Sequence, residues 1–151
     1  MRKHVLLAAM AMLIVGSFTS CSKDKDPTPI TKAEQLGARN WRITAFTSKQ
    51  GNNPIIDEFA LYAPCDKDDF YQFKADKTFV LDEGATRCNS NSPQTSVSGW
   101  DINADGTILL LLEMKGATSA ELYDIKELSN DKLRIGQSGR NATTEITFTS
   151  F

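Results

Sequence analysis

Residues 65–88 read CDKDDFYQFKADKTFVLDEGATRC, and the fold is decided in that stretch. Two short alternating segments, Asp69–Phe73 and Thr78–Leu81, flank the polar turn Ala75-Asp76-Lys77, with Cys65 and Cys88 at the outer ends. A strand turns successive side chains to opposite faces, so Tyr71 and Phe73 fall together, as do Phe79 and Leu81. Period-two alternation on both sides of a tight turn predicts an antiparallel hairpin with one wet and one buried face.

The same pattern recurs outward from this hairpin. On the N-terminal side, Thr31-Lys-Ala-Glu34 has the spacing of a capping box and predicts a short helix over 32–39, weakened at Gly37. Trp41–Thr47 alternates Trp41, Ile43 and Ala45 against Arg42 and Thr44, as a first strand does. Ser48–Pro64 is a long connection whose apolar residues Ile55, Ile56, Phe59 and Tyr62 allow an amphipathic turn or a flap over an opening. The reading preferred is a surface loop with its own small apolar cluster. On the C-terminal side, Ser98–Asn103 and Thr107–Glu113 flank the turn Ala104-Asp105-Gly106. The run Ile108–Leu112 is apolar throughout, so both of its faces should be covered, with the helix one candidate for the outer cover. Glu121–Glu127, Lys132–Ile135 and Thr144–Phe148 complete the series, with Tyr123, Ile125, Leu133, Ile135, Ile146 and Phe148 pointing inward. Eight short strands joined mostly by tight turns predict an all-β fold, an eight-stranded antiparallel up-and-down barrel with a short N-terminal helix. A β-sandwich is the alternative.

The chain has 151 residues, enough for one domain with a proper core. Residues 1–20 carry a charged start (Arg2, Lys3) and an apolar run from Val5 to Val15, too short to cross a bilayer, which predicts a secretory signal peptide. The sequence Phe18-Thr19-Ser20-Cys21 resembles a bacterial lipobox, so Cys21 is the expected site of lipidation. Residues 21–31 then form a charged, proline-containing tether, and 32–151 the barrel domain. Membrane attachment through the lipid places the protein at the outer membrane of a Gram-negative bacterium, on its periplasmic or its exposed face. Without Arg2 and Lys3 the chain keeps 15 basic against 19 acidic residues, a net charge of about −4. No basic stripe suits a phosphate backbone, so nucleic acid is not an expected partner. In an exported protein Cys65 and Cys88 are better read as a disulfide than as two small buried thiols. Such a loop would stabilise the fold by about 3 kcal/mol.

Catalysis has little to stand on. The single histidine, His4, lies in the leader, which removes a Ser-His-Asp triad, a Cys-His pair and histidine-ligated zinc together. No glycine-rich phosphate loop appears, and no cofactor is implied. Asp101-Ile-Asn103-Ala-Asp105-Gly106 imitates the start of a calcium loop, but its twelfth position is Leu112 rather than a bidentate Glu. Asp66, Asp68 and Asp69 are read as a solvated acidic entrance to a strand rather than a cation site. The expectation is a protein that is not an enzyme and binds no metal.

Taken together, Leu36-Gly37 before Trp41, the pattern Cys65-x-x-Asp68-Asp69-x-Tyr71-x-Phe73-x-x-Asp76-x-Thr78-Phe79, Cys88, Gly99-Trp100-x-Ile102, Asp105-Gly106-Thr107 and the Leu128–Leu133 turn resemble the bacterial lipocalin-like lipoproteins. The resemblance covers Leu36 to Phe148. It implies an up-and-down barrel behind a lipid-tethered N-terminus, and a disulfide joining Cys65 to Cys88. An eight-stranded barrel is either filled by side chains or holds one small ligand. On the second alternative Tyr71, Phe73, Phe79, Trp100 and Tyr123 line a cavity for a small hydrophobic or amphipathic ligand, gated by Ser48–Pro64. On the first, the protein is a structural or interaction lipoprotein whose outer faces meet another envelope component.

Overall fold

The computed structural model describes residues 29–151. The predicted signal peptide, Cys21 and the tether as far as residue 28 lie outside the described residues.

Thr31 starts the helix α1 (Lys32–Gly37) through the capping box its sequence predicts. Its hydroxyl accepts from the Glu34 N–H at 3.2 Å, and the Glu34 carboxylate accepts from the Thr31 N–H at 2.7 Å. The helix stops at Gly37, two residues earlier than expected. A Cβ there would stand 3.0 Å from the Phe73 carbonyl oxygen, so the missing side chain lets the helix end settle on a strand.

Nine strands follow: β1 (Asn40–Gln50), β2 (Ile56–Asp57), β3 (Phe70–Phe73), β4 (Thr78–Asp82), β5 (Thr95–Ile102), β6 (Ile108–Leu112), β7 (Ala120–Leu128), β8 (Lys132–Ser138) and β9 (Ala142–Ser150). All neighbouring pairs are antiparallel, and β9 returns to pair with β1 from Trp41↔Ser150 to Gln50↔Ala142. That pairing closes β1 and β3–β9 into an eight-stranded barrel and excludes the sandwich. The two-residue β2 is an addition, laid on β1 at Thr47 and Ser48. The opening hairpin has the predicted register, Tyr71↔Leu81 and Phe73↔Phe79. In its turn Lys77 takes a left-handed φ of 69°, held by the Asp76 carboxylate, which accepts from the Thr78 N–H and hydroxyl at 3.1 and 2.9 Å.

The sequence expectations fail in three ways, of which the first is a pair of bulges that break the period-two reading. One bulge, in β1 between Ile43 and Ala45, inserts one residue. Ala45, expected inside, is therefore exposed, and Phe46 packs against the core instead. A second bulge, between Ile125 and Glu127, likewise brings Leu128 to the core. The second failure concerns β6. Its outer face is not covered by α1: Leu110 and Leu112 remain half-buried and their neighbour Leu122 is 54% exposed. The helix instead closes one end of the barrel, with Leu36 buried among the core residues and the Lys32 ammonium donating to the Gly106 carbonyl at 2.8 Å. Third, the 48–64 connection forms no separate cluster. Ile55, Ile56 and Leu61 are exposed, whereas Phe59 packs against the main core and Tyr62 against Phe46 and Phe59.

A candidate ligand site at the barrel mouth

The barrel has two unlike ends. Tight turns at 74–77, 103–107 and 129–131 meet α1 at one end, and the longer segments 51–69, 83–94 and 113–119 surround the other. At the helix end the inward side chains are large and apolar. Trp41, Trp100, Phe73, Leu36, Leu109, Leu133 and Ile135 are fully buried and fill the interior. Each indole N–H is satisfied, Trp41 donating to the Leu36 carbonyl and Trp100 to the Lys74 carbonyl, both at 2.9 Å.

Toward the other end the inward positions become smaller and more polar. Ser98 stands across from Phe79, Ser96 from Leu81, and Glu121 from Leu111. The core therefore stops part of the way up, leaving a cavity of about 430 Å³ at the mouth, lined by Phe79, Leu111, Leu112, Ser98, Ser119, Ala120, Glu113 and Glu121. Cavities of roughly 300–1,000 Å³ are the size that small ligands occupy. Its floor is apolar, and its only charged lining groups are the two carboxylates. The Tyr123 hydroxyl donates to Glu121 Oε2 at 2.8 Å; burial, that hydrogen bond and the Glu121 charge hold the phenol well above its ordinary pKa.

The five aromatic residues expected at a ligand site are divided by this geometry. Phe79 lines the mouth cavity. Tyr71 stacks on Phe79 with ring centroids 5.6 Å apart and meets Phe148 edge-on, so it backs the cavity wall from one residue behind. Tyr123 is buried and reaches the cavity only through Glu121. Phe73 and Trp100 pack edge-to-face in the filled half and do not line the mouth. Ser98, Leu111, Glu113 and Glu121 were missed. The signal was present, because the alternation that points Leu109, Leu111, Tyr123 and Ile125 inward also points Glu113 and Glu121 there.

The rim is stitched across its loops. Cys65 and Cys88 are bridged, with their Cα atoms 5.2 Å apart, joining the 51–69 segment to the 83–94 loop. The Asp68 carboxylate accepts from the Ala85 and Thr86 N–H groups, both at 2.9 Å, and from the Thr86 hydroxyl. Burial opposes its ionisation, but those hydrogen bonds outweigh it and hold its pKa low. Arg42 donates to the Asp68 carbonyl at 3.2 Å, and Ser48 donates to Glu58, pinning the 59–61 turn over one side of the mouth. Asp69 differs from its neighbours. Its Oδ1 is buried without a partner, and burial, followed by the charges of Glu83, Asp66, Asp68 and Asp82, pushes its carboxyl up to about 6.

Metal chemistry finds no constellation here. Among the described residues the one grouping of potential ligands is Cys65, Asp66 and Cys88, whose two sulfurs are already joined to each other. The calcium-like segment is spent on structure: the Asp101 carboxylate accepts from Lys77 at 2.8 Å, and the Asn103 side-chain Oδ1 accepts from the Thr107 and Ile108 N–H groups at 2.8 and 2.9 Å.

No curated protein matches the chain in sequence. Among solved structures, it is similar to the crystal structure of a lipocalin-like protein from Bacteroides uniformis, at 12% identity and a TM-score of 0.50, over 78% of this chain and 99% of that one. At that identity the likeness concerns the fold alone. The sequence from residue 38 to residue 135 matches the lipocalin-like domain, a family generally made of non-enzymatic binding proteins. That match spans well over half of the chain, and with the closed barrel behind it the protein belongs to the lipocalin-like domain family.

Proposed function

We propose that this protein is a non-enzymatic, lipid-anchored component of the Gram-negative outer membrane whose barrel mouth binds a small amphipathic molecule. The observation that carries the reading is the mouth cavity, in which the apolar Phe79 and Leu111 stand beside the polar Ser98 and Glu121. The anchor rests on the lipobox-like Phe18-Thr19-Ser20-Cys21 and the charged tether after it. The absence of any histidine after His4 supports the non-enzymatic part of the reading, as does the pairing of both barrel cysteines.

Native mass spectrometry of the protein with Cys21→Ser, exported to the periplasm, tests the binding. A discrete added mass that leaves on gentle activation is expected, and Phe79→Trp should abolish it with little loss of stability, because the larger ring fills the cavity. Equal uptake by that variant would remove the mouth from the reading. Labelling of the wild-type protein by a palmitate analogue, lost in Cys21→Ser, tests the anchor separately.

A second reading is favoured by a specific observation, the fully filled helix end together with the uncovered outer pair Leu110 and Leu122, which stand across from each other on neighbouring strands. On that reading the barrel is a scaffold whose outer face meets another envelope component. A clean apo mass, with a protein captured by crosslinkers placed beside Leu122, would favour it.

A further inference from the structure

We propose that the mouth cavity selects amphiphiles with a positively charged head, the head taken by Glu113 and Glu121 and the apolar tail laid against Phe79 and Leu111. The inference rests on the reading that the mouth binds a small amphipathic ligand, and it names the charge of that ligand.

Three observations carry it. First, the cavity combines an apolar floor with two carboxylates and no cation among its lining residues. Glu121 is the cross-strand neighbour of Leu111, so charge and apolar surface lie side by side, as the head and tail of one amphiphile require. Second, neither carboxylate is neutralised by the protein. Among the described residues no ion pair includes Glu113 or Glu121, and the only hydrogen bond given to either is the one from the Tyr123 hydroxyl to Glu121 Oε2. That bond orients the Glu121 carboxylate through a buried ring and leaves Oε1 for a ligand.

Third, the one cation in the loop above the cavity is turned away from it. The segment 113–119 folds back against the outer face of β5, where Gly99 has no side chain; a Cβ on Gly99 would stand 2.9 Å from Lys115 Cα. Ser98 and Trp100 point inward on either side, so Gly99 faces outward. From there the Lys115 ammonium reaches Asp76, at 3.0 Å, on the hairpin turn at the far end of the barrel. One arrangement thus leaves the mouth open and removes the charge that would have served an anionic head. A fatty-acid carboxylate would meet two uncompensated like charges beside a partly desolvated wall, whereas an alkylammonium would gain the attraction that the carboxylate loses.

The test uses three probes with the same tail, decyltrimethylammonium, decanol and decanoate, below their micellar concentrations. They are titrated calorimetrically into the exported Cys21→Ser protein. The expected order is ammonium tightest, alcohol next and carboxylate weakest, with a step of about fivefold between the first two, the upper size of one exposed ion pair. Adding Glu113→Gln and Glu121→Gln together should abolish that step while leaving decanol unchanged. Phe79→Trp should lower all three, which separates this site from the general acidity of the surface. In the unsubstituted site, rising salt should weaken the ammonium and spare the alcohol, a readout that does not depend on any variant folding. Equal affinities, or decanoate tightest, would overturn the charge selection and leave the binding site standing. No uptake of any probe would overturn the binding site and the selection with it.

Discussion

Asp69 makes the sharpest demand on stability. Its carboxyl is pushed up to about 6, first by burial and then by Glu83, Asp66, Asp68 and Asp82, and one of its oxygens has no partner. In the unfolded chain the same group titrates near ~3.9. Between about pH 4 and pH 6 the folded protein therefore holds a proton that the unfolded chain has released. Native stability contributed by this group is present below about pH 4, is lost as pH rises to about 6, and stays lost above. Two pKa units set a ceiling of about 3 kcal/mol. Asp69 is only half-buried at the rim, so solvent screening trims that to about 1 kcal/mol. Asp69→Asn removes the charge while keeping the shape. It should stabilise the protein by about 1 kcal/mol at pH 7.5, or about 4 °C in Tm, and by almost nothing at pH 4. Urea unfolding of both proteins across that range, with the disulfide intact, reads the difference directly; the other acids cancel in the comparison. A gap of constant size at every pH, or a less stable variant at pH 7.5, would refute the assignment of the raised pKa to Asp69.

Other outcomes follow from the same geometry. Cys65→Ser with Cys88→Ser should cost about 3 kcal/mol in the same unfolding assay, and reduction of the wild-type protein should reproduce that loss. Gly84→Ala should cost about 2 kcal/mol, because φ there is +64° and the new Cβ would overlap the Asp68 carbonyl; a neutral effect would show that the rim gives way easily. Trp41→Phe should lower stability by about 2–3 kcal/mol, since it opens a void in a fully buried site and orphans the Leu36 carbonyl, which the indole now meets at 2.9 Å. Thermal melts that place this variant within a degree of wild type would contradict the role given to that indole.

Much of the barrel was legible from local patterning, because a strand with one buried face writes its burial into every second residue. The hairpin register Phe73↔Phe79, the turns at Asp76 and Asp105-Gly106, the capping box and the inward set Leu133, Ile135, Ile146 and Phe148 all needed only neighbouring residues. Patterning also carried the paired charges at 113 and 121, although Glu among apolar neighbours reads as solvent-facing until the depth of the core is known. Bulges defeated it. Ala45 and Phe46 exchange faces through one inserted residue after Ile43, and nothing within Ile43–Phe46 marks which residue is the extra one.

By itself the sequence determined that this chain is a run of short antiparallel strands, and it set the expectation of a leader and a lipidated cysteine ahead of them. Those properties depend on composition and on contacts a few residues apart. Only the tertiary structure decided that β9 closes on β1, that α1 plugs the barrel end instead of covering β6, and that packing fills one half and stops below the mouth. Those outcomes depend on how side-chain volumes from eight strands add up across the interior and on where a loop folds relative to a distant glycine. Neither quantity is written in any one segment.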